Sequence, residues 1–196
     1  MLAEALALSW VDWVVTFTGI IYVILAAREQ VSCWYWGMIS CSFWAYADFS
    51  FYRLYADGLL QVFYALMSLW GLWQWKYGQK DQQELAVSRM TVQEHLGVWG
   101  IGLSGGLLAG YFLGAYTNAA ATYPDAITTV FAILTTILLI QKKLENWLYW
   151  LLIDFTYLFI YGSRGAYLFV LIMVIYLIVA ILGYKHWKER YVIAMT

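Results

Sequence analysis

Charge is what this 196-residue chain has least of: Asp, Glu, Lys and Arg together make up 12% of it, against 64% apolar residues. That balance lies far outside the range of water-soluble domains. The chain has one proline, Pro124, and two cysteines, Cys33 and Cys41, eight positions apart in one apolar segment. Cysteines so spaced on a helix cannot bridge each other, which excludes a disulfide framework. Its two histidines, His95 and His186, fall in a predicted loop and tail with no second ligand at metal spacing. No Ser-His pair lies within the apolar stretches, and neither a phosphate-binding glycine loop nor an HExxH helix is present. Every lysine sits at a segment end or in a loop, which removes a retinal Schiff base. The sequence therefore predicts no enzyme, no metal and no cofactor.

What is present is a series of long apolar stretches. Seven are predicted to span a bilayer, over about 5–27, 31–52, 57–76, 97–116, 123–141, 144–162 and 165–185. Little chain is left over, so function has to sit inside the helix bundle, and no nucleic-acid-binding module is expected. The first stretch carries Asp12 and Trp13 and lacks a basic start, so it reads as a retained helix. If residue 1 lies on one side of the bilayer, that side shows Arg53 and Arg164. The other shows Arg28, Lys76, Lys80, Arg89, Lys142, Lys143, Lys185, Lys188 and Arg190. Nine against two predicts an amino terminus outside and a carboxyl terminus in the cytoplasm.

The stretches repeat. Asp12 and Thr16 recur as Asp125 and Thr129, 113 residues on, and Trp36, Tyr46 and Arg53 fall on Trp147, Tyr157 and Arg164 at a shift of 111. Tyr55, Tyr64, Gly71, Trp75 and Lys76 fall on Tyr167, Tyr176, Gly183, Trp187 and Lys188 at a shift of 112. Two copies of a three-helix unit follow, residues 1–78 and 121–196, with a loop and linker helix at 79–120. One extra crossing between units of three makes them run the same way, and such parallel repeats hold substrate near the midplane between them. The linker carries Gly102, Gly106, Gly110 and Gly114, a ridge that admits close backbone approach. Its expected place is at or near an oligomer contact. The loop at about 77–96 reads as a solvated connector with a short amphipathic helix.

Polar residues on apolar faces mark the candidate site. Segment six has Trp147, Trp150, Asp154, Tyr157 and Tyr161 at helical spacings; segment two has Ser40, Trp44 and Asp48; segment three has Gln61, Tyr64 and Ser68. A buried acid among indoles and phenols suits a flat organic cation, because ring faces attract positive charge and the carboxylate neutralises it. The alternative is a packed aromatic interface with a protonated or hydrogen-bonded acid. Asp12 and Asp125 read as helix caps or hydrated groups, and Glu145 and Asn146 as the start of segment six, where acid favours the positive helix end.

The run Glu145-Asn146-Trp147-Leu148-Tyr149-Trp150, with a polar side chain four residues later, closely resembles the sixth-helix signature of the PnuC family of vitamin transporters. Leu54-Tyr55-Ala56-Asp57, Leu60-Gln61-Val62 and the aromatic run Leu69 to Trp75 extend the resemblance over most of the chain. It implies an all-α membrane protein with seven transmembrane helices in a 3+1+3 parallel repeat, similar to full-length SWEET transporters. It also implies facilitated diffusion of an unphosphorylated vitamin across the bacterial inner membrane, trapping by phosphorylation, and a homotrimer in the lipid bilayer. Gln61, Asn146, Trp147, Trp150 and residue 154 become expected substrate contacts. Nicotinamide riboside carriers of the family have asparagine where this chain has Asp154, and Asp48 is a further added acid. The expectation is therefore thiamine, as in the family's PnuT branch, with nicotinamide riboside as the alternative and proton coupling a further one.

Overall fold

The computed structural model describes residues 9–53, 55–78, 85–116, 122–163, 165 and 167–193. Residues 1–8, Lys80 and Arg164, which enter the readings above, lie outside that set. Among the described residues there are seven helices: α1 (Trp10–Ala27), α2 (Cys33–Ala47), α3 (Tyr55–Tyr77), α4 (Val92–Tyr116), α5 (Thr122–Ile140), α6 (Asn146–Ser163) and α7 (Tyr167–Ile193). Ser9 and Asp12 form a capping box that starts α1, each side chain accepting from the other's backbone N–H. Asp12 is thus a helix cap. At its far end α2 runs into a π turn, Asp48–Tyr52, and stops at Arg53, whose backbone is left-handed at φ 54°.

Four helices, α1, α4, α5 and α7, are long and apolar enough to cross a membrane by composition. The other three, α2, α3 and α6, fall short of the expectation. They carry Ser40, Gln61, Ser68, Asn146 and Asp154 on faces that other helices cover, and aromatics weaken the apolar signal of the rest. Two boundaries also differ. Helix α4 begins at Val92, so His95 lies on a helix, 2.8 Å from the Tyr149 hydroxyl. Helix α7 continues through Lys185, Lys188 and Arg190.

Contacts run α1 to α2, α2 to α3, α5 to α6 and α6 to α7, with α1 also on α7 and α3 on α5. Helix α4 packs chiefly on α5. The glycine ridge is the reason: a Cβ at Gly102, Gly106 or Gly110 would meet Phe131, Ile127 or Tyr123, all on α5. This corrects the expected oligomer contact, because three of the four glycines already serve a contact within the chain. The connector is corrected too. Residues 85–91 form a strap on the α5–α6 junction, where Ser88 N–H donates to Lys142 O at 2.9 Å and Leu144 N–H to Ser88 O at 2.8 Å. Val87 and Met90 are buried beneath it. Glu145 fixes it from below, accepting from Met90 N–H at 2.8 Å and from Arg89 Nε at 3.0 Å. That bond and the Glu145 charge hold the Arg89 pKa above its usual value.

At the end of the bundle where the bases cluster, the two halves make matching contacts. Trp34 packs edge-on to Trp75 at 5.3 Å and over Gly71; Trp147 packs edge-on to Trp187 at 5.5 Å and over Gly183. The partner of Trp147 is therefore Trp34, 113 residues earlier, and not Trp36. Trp75 Nε1 donates to the carbonyls of Leu139 and Ile140, and Trp187 Nε1 to that of Ala26. Ala26 and Leu139 are again 113 apart. Beneath them Glu29 and Lys142, also 113 apart, both adopt positive φ and pair at 3.2 Å, with Lys142 lying 4.6 Å over the Trp75 ring. Gly71 follows Trp34 by 37 residues, whereas Gly183 follows Trp147 by 36. The π turn after α2 takes up that additional residue, as an insertion in a helix commonly does.

Candidate functional site

Between α1, α2, α3, α5, α6 and α7 lies a cavity of about 300 Å³. Its floor is the buried core of the basic end, where Ala26, Trp34, Leu139, Trp147 and Ala180 meet. Small residues make room for large ones. A Cβ at Gly19 would come within 3.1 Å of the Tyr176 hydroxyl, and one at Gly37 within 3.0 Å of the Tyr22 ring. Both tyrosines line the cavity, as does Tyr64, the repeat partner of Tyr176.

Helix α6 supplies Trp147, Trp150, Asp154, Tyr157 and Tyr161 to this wall, α2 supplies Trp44, and α3 supplies Gln61 and Ser68. Their helical spacing puts them on one side of each helix. Asp154 is 6% exposed, and the ion pairs among the described residues engage other groups. The wall contains no Lys, Arg or His, so Asp154 is its one charged group. In a site of low dielectric that carboxylate attracts a cation far more strongly than it would in water. Ser68 donates its hydroxyl to Tyr64 O at 3.0 Å, leaving its oxygen lone pairs as acceptors toward the cavity. The indole N–H groups of Trp34 and Trp147 are buried and have no acceptor among the described residues. A buried donor left unpaired costs about 1–3 kcal/mol, so an acceptor brought into this wall would bind there with advantage.

Two of the expected contacts lie elsewhere. Asn146 is fully buried at the start of α6, with Nδ2 donating to Lys143 O at 2.7 Å, and it is not on the cavity wall. Asp48 belongs to a second cavity of about 400 Å³ further from the basic end. Trp44, Tyr161 and Tyr176 line both spaces. Sequence reasoning missed Tyr22, Trp34, Cys41 and Tyr176 on the inner wall. Tyr176 carried a usable signal in its match to Tyr64; Cys41 stands at the repeat position of Asp154, which composition does not reveal.

A family model described as nicotinamide mononucleotide transporter matches residues 9–189. The chain is 27% identical to the nicotinamide riboside transporter PnuC of Escherichia coli K12 over 205 aligned residues, covering 92% of this chain and 85% of that protein. It is 25% identical to the nicotinamide riboside transporter PnuC of Neisseria mucosa, covering 92% and 73%. The fold is similar to the crystal structure of the vitamin B3 transporter PnuC, with a TM-score of 0.74 and 24% identity over 93% of this chain and 82% of that one.

Proposed function

Because the chain belongs to the PnuC family, matched over nearly its whole length by the nicotinamide mononucleotide transporter model, we propose that it carries nicotinamide riboside across the bacterial cytoplasmic membrane. The observation that carries this reading is the inner wall, which joins one buried carboxylate to indole and phenol faces and includes no basic side chain. Nicotinamide riboside is a flat pyridinium cation with hydroxyl groups. Its ring suits the faces of Trp150 and Tyr157, its charge suits Asp154, and its oxygens suit Gln61 and the unpaired indole donors. A phosphorylated nucleotide fits poorly, since its anion would approach Asp154 with no cation to offset the repulsion.

Thiamine, the main expectation from the added acids, gives way here. The relatives are named for nicotinamide riboside, and one carboxylate serves either cation. Transport is by facilitated diffusion, with phosphorylation in the cytoplasm drawing the vitamin inward. The architecture proposed is 3+1+3, with units 1–78 and 121–196 around the linker at 79–120, assembled as a homotrimer. The matched tryptophan contacts and the peripheral α4 support the repeat, and the basic residues support a cytoplasmic carboxyl terminus. The test is titration of the purified chain with nicotinamide riboside and thiamine, alongside uptake into vesicles. Nicotinamide riboside is expected to bind and to equilibrate without accumulating, and Asp154→Asn to weaken it by about 2–5 kcal/mol. Thiamine binding with no nicotinamide riboside binding would overturn the reading.

A further inference from the structure

We propose that the outer cavity is a second organic-cation site, built around Asp48 and distinct from the inner one. Asp48 is 1% exposed, and its Oδ2 is buried with no hydrogen-bond partner. Yet it lines a space of about 400 Å³. A carboxylate in that position carries a desolvation cost with no partner to offset it, and a cation in the cavity supplies the partner. Its placement follows from the π turn. The residue that the first half has in addition is absorbed at Asp48–Tyr52, and the turn begins at the acid itself. Turns of this kind re-aim side chains out of the regular helical register.

The rest of the wall has the chemistry of a flat cation's host. Tyr161 and Phe169 stack at 5.2 Å with an interplanar angle of 29°, and Trp44 adds an indole. Asp12, though engaged as the α1 cap, adds negative potential, and the wall has no Lys, Arg or His. The stack also continues inward, Tyr157 lying 5.7 Å from Tyr161 at 17°. Tyr157 and Tyr161 line the inner cavity, Tyr161 and Phe169 the outer one. One ladder of rings therefore joins the two carboxylates, and a planar cation moving between them keeps a ring face beside it. The inference rests on the reading above for the identity of the cargo, not for the existence of the site.

The probe is 1-methylnicotinamide, a pyridinium without ribose, compared with neutral nicotinamide. Both are titrated into the Trp150→Ala/Asp154→Asn chain, whose inner cavity has lost its ring face and its charge. The cation is expected to bind about tenfold or more tightly than nicotinamide. Adding Asp48→Asn removes that preference, and Asp48→Glu retains it. Equal binding of the two compounds, no binding of the cation, or an unchanged preference in Asp48→Asn would overturn the proposal. Stoichiometry on the unaltered chain gives a readout that needs no inner-site variant: two cations per chain are expected, and one overturns it. Uptake of nicotinamide riboside is followed separately. Absent flux with Asp48-dependent binding leaves the site standing and removes the transport reading; normal flux with no effect of Asp48 does the reverse.

Discussion

Trp75 and Trp187 lie 5.8 Å apart, and each donates its indole N–H to the end of a helix in the other half of the chain. Both are fully buried. Replacing either with Phe keeps a ring in place but strands one or two carbonyls on α5 or α1. Each single variant is expected to lose about 1–3 kcal/mol of stability, read as a lower Tm in detergent. A Tm equal to that of the unaltered chain would show that these bonds do not hold the halves together.

The pair beneath them is more sensitive to losing one member than both. Lys142 and Glu29 have side chains 3% and 11% exposed, and Arg190, at 3.7 Å and 60% exposed, does not replace Lys142. Lys142→Met leaves Glu29 charged and buried, and about 3–5 kcal/mol of stability should be lost. The double variant Lys142→Met/Glu29→Gln should recover most of it. Chemical denaturation of the two proteins checks the order.

Glycine positions on α4 should respond oppositely to the same substitution. At Gly106 a Cβ would fall 2.7 Å from the Ile127 Cα, a backbone atom that cannot move aside without separating α4 from α5. Gly106→Ala is expected to cost about 1–3 kcal/mol. At Gly100 nothing lies within 4 Å, and Gly100→Ala should stabilise the helix by about 0.5–1 kcal/mol. Thermal melts of the two variants decide.

Glu145→Gln removes the charge that holds Arg89 and weakens the bond from Met90 N–H. The strap at 85–91 should open more often, and trypsin should cut after Arg89 faster than in the unaltered chain, while nicotinamide riboside affinity changes little. An unchanged cleavage rate would place the strap's hold in Val87 and Met90 instead.

The wall contributed by α6 was legible because Trp147, Trp150, Asp154 and Tyr157 recur at helical spacing, and four of the helices announce themselves by apolarity alone. The register of the repeat was legible only to within two residues. The stretch from Cys33 to Tyr52 contains three tryptophans, any of which gives a plausible match, and the insertion absorbed by the π turn leaves no mark in an apolar pattern. The strap was illegible for a different reason. Its hold comes from two backbone bonds and one carboxylate 55 residues away, and short extended segments with two buried side chains have no periodicity to read. The use of the glycine ridge inside the chain also needed the structure, since a small-residue face states that something packs there and not what.

The pairing of Glu29 with Lys142 bears on how such a chain can arise from a half-sized ancestor. The two residues occupy corresponding positions, so an association of two identical copies of the first half would set glutamate against glutamate at its centre, and two copies of the second half would set lysine against lysine. Attraction across that centre exists only when unlike copies meet. Fusion into one polypeptide guarantees the unlike meeting, and once fused the copies are free to drift apart in charge without ever forming the repulsive pair. The present chain is accordingly expected to have lost the ability to work as a self-associating half, and either half expressed alone should require the other for assembly.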